Sequence, residues 1–176
     1  LLDAFVEGDE PRPRLVHRLD KDTSGVLLIA RTPGSAAAFS KRFSGRSAKK
    51  VYWALVVGVP EQSMGLIDAP LAKQPGTGGE KMHVDMEGGQ PAKTRYRVVE
   101  RAGHKAAWLE LEPLTGRTHQ LRVHLAAIGH PILGCDLYAT DEAFFMAERL
   151  MLHAEIISFD HPVSGERMEV RSPCPF

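Results

Sequence analysis

The feature that most constrains the fold is the run K-K-V-Y-W-A-L-V-V-G at residues 49–58. Side chains alternate between two faces along a strand. The alternation puts Trp53 and Leu55 on one face, and Tyr52 and Ala54 on the other. Because both faces are apolar, this strand is predicted to lie in the centre of a sheet.

Other segments supply partners for this strand. Apolar runs and alternation predict strands at residues 26–30, 65–71, 94–100, 106–112, 152–159 and 167–171. Helices are predicted at residues 35–43, 118–128 and 141–150, and residues 73–93, rich in Gly and Lys, are predicted to form a mobile hairpin or loop. Strands joined mainly by hairpins, with helices interspersed irregularly, indicate an α+β fold with a mixed, largely antiparallel sheet.

Composition sets the wider bounds. With 176 residues and 43% hydrophobic content, the chain is expected to form one domain over residues 1–176. Cys135 and Cys174 lie far apart without C-x-x-C spacing, which disfavours a disulfide framework or zinc knuckle and indicates a reducing cytoplasm. No apolar run approaches membrane-spanning length. The chain begins without an initiator Met, so we expect the natural protein to start further upstream.

The zero net charge conceals two oppositely charged ends. Residues 11–50 carry ten Lys or Arg against two acids, whereas residues 136–169 carry eight acids against two Arg. A basic face around a presented acid suits a polyanionic substrate, although solvated surface charges without a partner are the common alternative.

The string H-R-L-D-K-D-T-S-G at residues 17–25 places such an acid, Asp20, among cations and turn-forming residues beside an apolar segment. Catalytic groups are often presented on loops held in this way. The alternative is an Asp that merely accepts hydrogen bonds from the Thr23 and Ser24 amides as an Asx-turn.

A second polar cluster is G-R-T-H-Q-L-R-V-H at residues 116–124. Helical spacing predicts that His119 and Arg122 share a polar, cationic face opposite Leu121 and Leu125. Tyr52 adds a hydroxyl that needs a polar partner if it is buried, although an isolated buried Tyr is more often a core residue.

Neither a metal hydrolase nor a serine hydrolase is indicated. The eight His are dispersed without an H-E-x-x-H pattern, and Ser24 lacks a G-x-S-x-G setting. We therefore expect no metal and no cofactor.

Taken together, residues 17–25, 49–58 and 115–134 resemble the RluA family of RNA pseudouridine synthases. The resemblance continues through L-M-L-H-A at residues 150–154 and the His161-Pro162 turn. It spans nearly the whole chain in the expected order, and the strings H-R-L-D-x-x-T-S-G and R-T-H-Q-L-R-x-H are long enough to be highly specific.

The resemblance implies a pseudouridine synthase fold with flanking helices and a central active-site cleft. It implies that Asp20 is the essential aspartate, Tyr52 the active-site tyrosine, and Arg122 the arginine that pairs with the aspartate. The reaction would break the N1–C1′ bond of a uridine, turn the uracil, and join C5 to C1′. Addition of the aspartate to C1′, addition to C6, and a glycal route all stay open, with family precedent favouring the last.

The partner implied is a structured RNA whose target base is flipped out, and large-subunit ribosomal RNA is the favoured candidate. Transfer RNA and a non-catalytic RNA-binding module of the same fold are the alternatives, and we expect a monomer that does not bind DNA. Arg18 is predicted to hold the position that the base vacates, with a plain phosphate contact as the alternative. The full set of predicted RNA-binding residues is His17, Arg18, Lys41, Arg42, Arg46, Lys49, Lys50, Arg117 and His119.

The sequence departs from the family pattern at two places. Family members commonly carry Asp directly after the Gly of the H-P-I-L-G string, whereas this chain has Cys135 there and Asp136 one place later. The family's first motif, a strand carrying Lys-Pro, is expected to lie upstream of Leu1.

Overall fold

A computed structural model describes residues 2–6, 8, 11–44, 48–77 and 81–176. A short 3₁₀ helix covers Leu2–Phe5, and the α-helices are α1 (Pro33–Ser44), α2 (Gln120–Ala127) and α3 (Asp141–Phe145). The strands are β1 (Arg14–Leu15), β2 (Ser24–Gly25), β3 (Ile29–Ala30), β4 (Lys49–Val57), β5 (Met64–Asp68), β6 (Leu71–Lys73), β7 (Met82–Val84), β8 (Lys93–Ala102), β9 (Ala106–Pro113), β10 (Leu152–Asp160) and β11 (Arg167–Arg171).

The main sheet has seven strands in the order β11-β10-β4-β9-β8-β5, with β2 added alongside β10. The β2–β10 pair is parallel, and the other neighbours are antiparallel. The α+β prediction with a mixed, largely antiparallel sheet is therefore confirmed. Strand β4 lies between β10 and β9, which confirms the central position that its two apolar faces predict.

The core lies on the face of the sheet that carries Tyr52, Ala54 and Val56, called here the inner face. Leu109 and Leu111 stand opposite Ala54 and Tyr52 on β9, and both are fully buried. Helix α2 contributes Leu125 to the same cluster. Because each fully buried Leu contributes about 1.5–3 kcal/mol, this layer holds α2 firmly against the sheet.

Two predicted elements are shorter in the structure. Residues 26–30 do not form one strand: Val26 N–H bonds to the Ala154 carbonyl, whereas Ile29–Ala30 pairs with β1. The start of the segment bonds to β10 and its end pairs with β1, so the prediction of one continuous strand was wrong. Helix α3 ends at Phe145 rather than residue 150, because the chain turns back to pair Met151 with Leu133.

The predicted loop at residues 73–93 contains a hairpin. Strands β6 and β7 pair with Leu71 opposite Val84, and Gly78 and Gly79 of this loop lie outside the described residues. The hairpin packs against α2, where Leu71 and Val123 share a small apolar cluster. Across the described ranges, no helix is long and apolar enough to cross a membrane.

Candidate active site

The loop that carries Asp20 is fastened at both ends. At its base β1 pairs with β3, and His17 Nε2 accepts a hydrogen bond from Leu28 N–H at 2.9 Å. At its tip Thr23 N–H donates to the main-chain carbonyl of Asp20 at 3.1 Å. A main-chain hydrogen bond thus closes the turn. In the alternative Asx-turn, the Asp20 side chain would have accepted the Thr23 N–H instead. The Asp20 carboxylate is left partly exposed at 19%.

An open cleft of about 870 Å³ faces this loop. Its lining comes from three segments, within residues 16–23, 43–52 and 112–121, with additions from Leu152 and Arg167. The cleft brings together Asp20 and Tyr52, which are far apart in the chain. Its size lies within the range of small-ligand sites in proteins.

Tyr52 stands on the inner face of β4 and is 9% exposed. Burial, together with the nearby Asp20 carboxylate, raises the pKa of Tyr52 to about 12. Both effects act against a phenolate, so at neutral pH the hydroxyl is protonated. Tyr52 can therefore donate a hydrogen bond into the cleft, but it is a poor proton acceptor there.

His17, Phe43 and Lys50 line one part of the cleft. Burial first, and then the Lys50 charge, lowers the pKa of His17 to about 4. Its Nε2 accepts the Leu28 N–H, so the ring proton sits on Nδ1. The Lys50 ammonium lies 5.0 Å from the Phe43 ring centroid, and burial lowers its pKa. At neutral pH the His17 ring in the cleft is consequently uncharged.

Arg122 occupies a position that the sequence did not predict. Its side chain is 3% exposed, its Nη2 donates to Asp136 Oδ1 at 2.6 Å, and its Nε donates to Cys135 Sγ at 3.3 Å. In the described part of the chain no ion pair within 4.0 Å joins Arg122 to Asp20; the Asp20 carboxylate instead lies 4.0 Å from Arg18 Nη2. The direct pairing implied by the resemblance is therefore wrong in this structure.

The predicted cationic face of the helix is also wrong. Residues 120–125 are all buried, because α2 lies between the main sheet and the β6–β7 hairpin. His119 is not within the helix but caps it, with a left-handed backbone at φ +53°. A left-handed conformation at a non-glycine residue is uncommon and is often found at functional sites.

His119 is close enough to Asp20 and to Arg122 for both charges to act on its ring. Burial lowers the pKa of His119, the Asp20 charge opposes that shift, and the charges of Arg122 and Arg18 add to it. Its Nδ1 is 2.8 Å from the Tyr138 hydroxyl, which also accepts a hydrogen bond from Met82 N–H. Sequence reasoning missed Tyr138; its only signal was its place after Cys135 and Asp136, where the chain departs from the family pattern.

Two of the remaining predicted RNA contacts, Arg117 and Lys49, line the cleft. Arg117 lines it and donates through Nε to the Pro91 carbonyl at 3.1 Å. Lys49 lines it too, 3.7 Å from the Glu112 carboxylate. Lys41 lies on α1, whereas Arg46 and the side chain of Arg42 lie outside the described residues. Where side chains are described, no group of three or more His, Cys, Asp or Glu is placed to share a metal ion.

Comparison with known proteins decides the family. Residues 4–127 match the family described as RNA pseudouridylate synthase. The dual-specificity RNA pseudouridine synthase RluA of Escherichia coli strain K12 is 44% identical over 171 residues, which cover 97% of this chain and 78% of that protein. This chain belongs to the RNA pseudouridine synthase family. The predicted resemblance and the predicted enzyme class, an isomerase that acts on RNA, are thereby confirmed.

Further relatives agree with this assignment. The pseudouridine synthase RluA of Vibrio parahaemolyticus is 42% identical, over 97% of this chain and 70% of that protein. Among solved structures, human RNA pseudouridylate synthase domain containing 1 has a TM-score of 0.82 at 34% identity, covering 93% of this chain and 70% of that one. Human RNA pseudouridylate synthase domain containing 4 has a TM-score of 0.80 at 28% identity, covering 99% and 76%. The predicted pseudouridine synthase fold is confirmed.

Proposed function

We propose that this pseudouridine synthase isomerises a uridine that is flipped into the cleft, and that Asp20 is its catalytic carboxylate. The observation that carries the proposal is the shared cleft: Asp20 and Tyr52 line it together, and the Asp20 charge contributes to the raised pKa of Tyr52. The N1–C1′ bond breaks, the uracil turns, C5 bonds to C1′, and the C5 proton leaves as N1 gains one. Addition at C1′, addition at C6 and the glycal route each use Asp20 as an ionised carboxylate, as nucleophile or base.

Tyr52 holds the base in this proposal. Its ring offers a face on which uracil stacks, and its protonated hydroxyl donates a hydrogen bond. Because the pKa of Tyr52 is about 12, the hydroxyl does not remove the C5 proton at neutral pH unless its own proton leaves first. We therefore assign it binding, orientation and proton donation.

Arg122 supports the site at a distance rather than through a direct ion pair with Asp20. Its guanidinium is paired with Asp136, and the charges of Asp20 and Arg122 both act on the pKa of His119. Because Asp136 offsets its charge, Arg122 is assigned the role of holding the segment at Cys135 and Asp136 in place rather than of acting on the charge of Asp20.

Arg18 is suited to the base-flipping step. Its side chain is 72% exposed, and its guanidinium lies 4.0 Å from the Asp20 carboxylate. Extrusion of a stacked base costs a few kcal/mol. A guanidinium that stacks or bonds in the vacated position offsets part of that cost. The Arg18→Ala variant should lose more activity on a folded stem-loop than on a short unstructured RNA; equal losses on both would favour a plain phosphate contact.

The substrate is proposed to be structured RNA of more than one kind. The E. coli and V. parahaemolyticus relatives are named dual-specificity enzymes. We propose stem-loops of large-subunit ribosomal RNA and of transfer RNA as the two target classes, because recognition of RNA depends largely on shape. A cytoplasmic location and a monomeric state stay predictions.

The decisive experiment measures tritium release from C5-labelled uridine in RNA. Asp20→Asn should lower kcat by more than about 10³-fold while RNA binding is retained, since it removes the group that performs the chemistry. Asp22→Asn is the matched control: the same change two residues along the same loop, at a φ of +68° that Asn tolerates. Equal activity of the two variants would refute the role of Asp20.

A further inference from the structure

The turn that carries Asp20 is linked to the C-terminal segment through one buried histidine, His153. His153 lies on β10, where it pairs with Ser24 in parallel register on one side and with Trp53 on the other. Its side chain is 2% exposed, so its ring nitrogens must find partners within the protein. Both of them do.

The hydrogen-bond directions around His153 follow from its partners. The Ser172 carbonyl can only accept, so His153 Nε2, 2.8 Å away, is the donor. The Glu155 carboxylate lies 3.6 Å from the same nitrogen. In the neutral ring Nδ1 is then an acceptor, and the Ser24 hydroxyl donates to it at 2.9 Å. The Ser24 oxygen also accepts from Arg149 Nη1 at 3.4 Å.

Ser24 directly follows the turn that Asp20 begins. The turn closes with the bond from Thr23 N–H to the Asp20 carbonyl, and the next residue is Ser24. After it, Gly25 lies so close to β10 that an added Cβ would stand 2.2 Å from the Ala154 oxygen. The segment from Asp20 to β10 is therefore closely held. Ser24 is the residue nearest to the turn whose side chain bonds to β10.

Neither Ser24 nor His153 touches the substrate site. The described residues that line the cleft include Asp20 and Thr23, but neither member of this pair. The two side chains connect the turn to the C-terminal segment, and both nitrogens of the His153 ring are hydrogen-bonded, one to Ser24 and one to Ser172. An effect of either residue on the reaction must therefore pass through the turn.

We propose that Ser24 and His153 are positioning residues for Asp20. The chain of hydrogen bonds from Ser24 through His153 to Ser172 sets the rotation of the turn and thereby places the carboxylate in the cleft. The proposal rests on the proposed catalytic role of Asp20. A displacement of about 1 Å at a reacting group can lower a rate by about 10²-fold, so the loss of this anchor should appear in kcat rather than in RNA binding.

Two substitutions of the same histidine separate the two halves of the hydrogen-bond chain. His153→Asn places an amide near the position of Nδ1, where it accepts from Ser24 but does not reach Ser172. His153→Gln places its amide near the position of Nε2, where it donates to Ser172 and leaves Ser24 unpaired. Both variants lose the ring, so they share any general loss of packing.

Steady-state kinetics of tritium release from a labelled stem-loop provides the readout. His153→Gln and Ser24→Ala should lose about 10-fold to 100-fold in kcat with an unchanged KM, and His153→Asn should keep most of the activity. Ser24→Ala removes only one oxygen atom, so it keeps the test valid if the histidine variants do not fold.

The outcomes distinguish the two proposals. Equal kcat values for the Asn and Gln variants, a wild-type kcat for Ser24→Ala, or a loss confined to KM would overturn the positioning role while Asp20→Asn stays inactive. If Asp20→Asn itself keeps wild-type activity, the proposed catalytic role of Asp20 fails instead.

Discussion

Replacement of Asp136 by Asn tests whether Arg122 depends on that carboxylate for its burial. The guanidinium is almost fully enclosed, at 3% exposure, and its shortest polar contact is the 2.6 Å bond to Asp136. Asn keeps an acceptor oxygen near the same place but removes the negative charge. The other neighbours are the Cys135 sulfur at 3.3 Å and the Tyr138 ring at 5.4 Å, and neither is a carboxylate that would replace it.

The size of the effect follows from the exposure of the two partners. Removal of one partner of a fully buried ion pair costs about 3–5 kcal/mol. An exposed pair contributes only about 0–1 kcal/mol. Asp136 is 54% exposed whereas Arg122 is buried, so water screens one side of the pair. We expect Asp136→Asn to lower the free energy of unfolding by about 2 kcal/mol, which lies between those limits. In a domain of this size that corresponds to a fall in Tm of about 4–8 °C.

Urea and thermal unfolding provide the measurement, and Asp160→Asn is the matched control. Asp160 bonds to Arg167 at 3.2 Å, but the two side chains are 42% and 50% exposed. The same chemical change there should cost less than about 0.5–1 kcal/mol. If Asp136→Asn is no more destabilising than Asp160→Asn, then the buried guanidinium does not need its carboxylate and the account of Arg122 is refuted.

Three further variants test other parts of the site. His17→Gln keeps a hydrogen-bond acceptor but does not titrate. Because burial lowers the pKa of His17 from 6.5 to about 4, the neutral His17 ring stabilises the folded protein fully above pH 6.5, and this contribution is lost as the pH falls towards 4. Urea unfolding should therefore show wild type losing about 1–2 kcal/mol relative to the variant between about pH 7 and 5, and parallel curves would contradict this. Gly25→Ala should cost about 2–4 kcal/mol, because its Cβ meets the Ala154 oxygen at 2.2 Å, whereas Gly103→Ala, with open space around it, should cost about 1 kcal/mol. Tyr52→Phe should lower kcat without moving the pH–rate profile between about pH 6 and 9, because a pKa near 12 keeps the hydroxyl protonated there. A shift of the alkaline side of that profile in the variant would contradict a protonated Tyr52 hydroxyl.

The predictions that were confirmed depend on local patterns. Two apolar faces at residues 49–58 indicated a central strand, and alternation at residues 94–100 and 106–112 indicated strands β8 and β9, because both patterns report burial of a strand directly. The helix at residues 35–43 was also predicted, within two residues of the bounds of α1.

The predictions that were wrong depend on what covers a segment. His119 and Arg122 look solvent-facing in isolation, but the β6–β7 hairpin packs against α2, and the segment that carries Cys135, Asp136 and Tyr138 covers the arginine. Arg122 then needs a carboxylate within reach, and Asp136 supplies it. Helical periodicity contains no information on which distant hairpin covers a face, so neither Asp136 nor Tyr138 was predicted as its neighbour.

By itself, the sequence determined the fold class, the central strand and, through its long motifs, the family; of the three predicted catalytic residues, Asp20 and Tyr52 line the cleft and Arg122 does not. The fold class, the strand and the family follow from periodicity and from residue types that are local in the chain. Only the tertiary structure decided that Arg122 bonds to Asp136, that Tyr52 stays protonated beside Asp20, and that His153 ties the Asp20 turn to the C-terminal segment. Each of these depends on burial and on distances of a few ångströms between segments far apart in the chain, which a one-dimensional pattern does not specify.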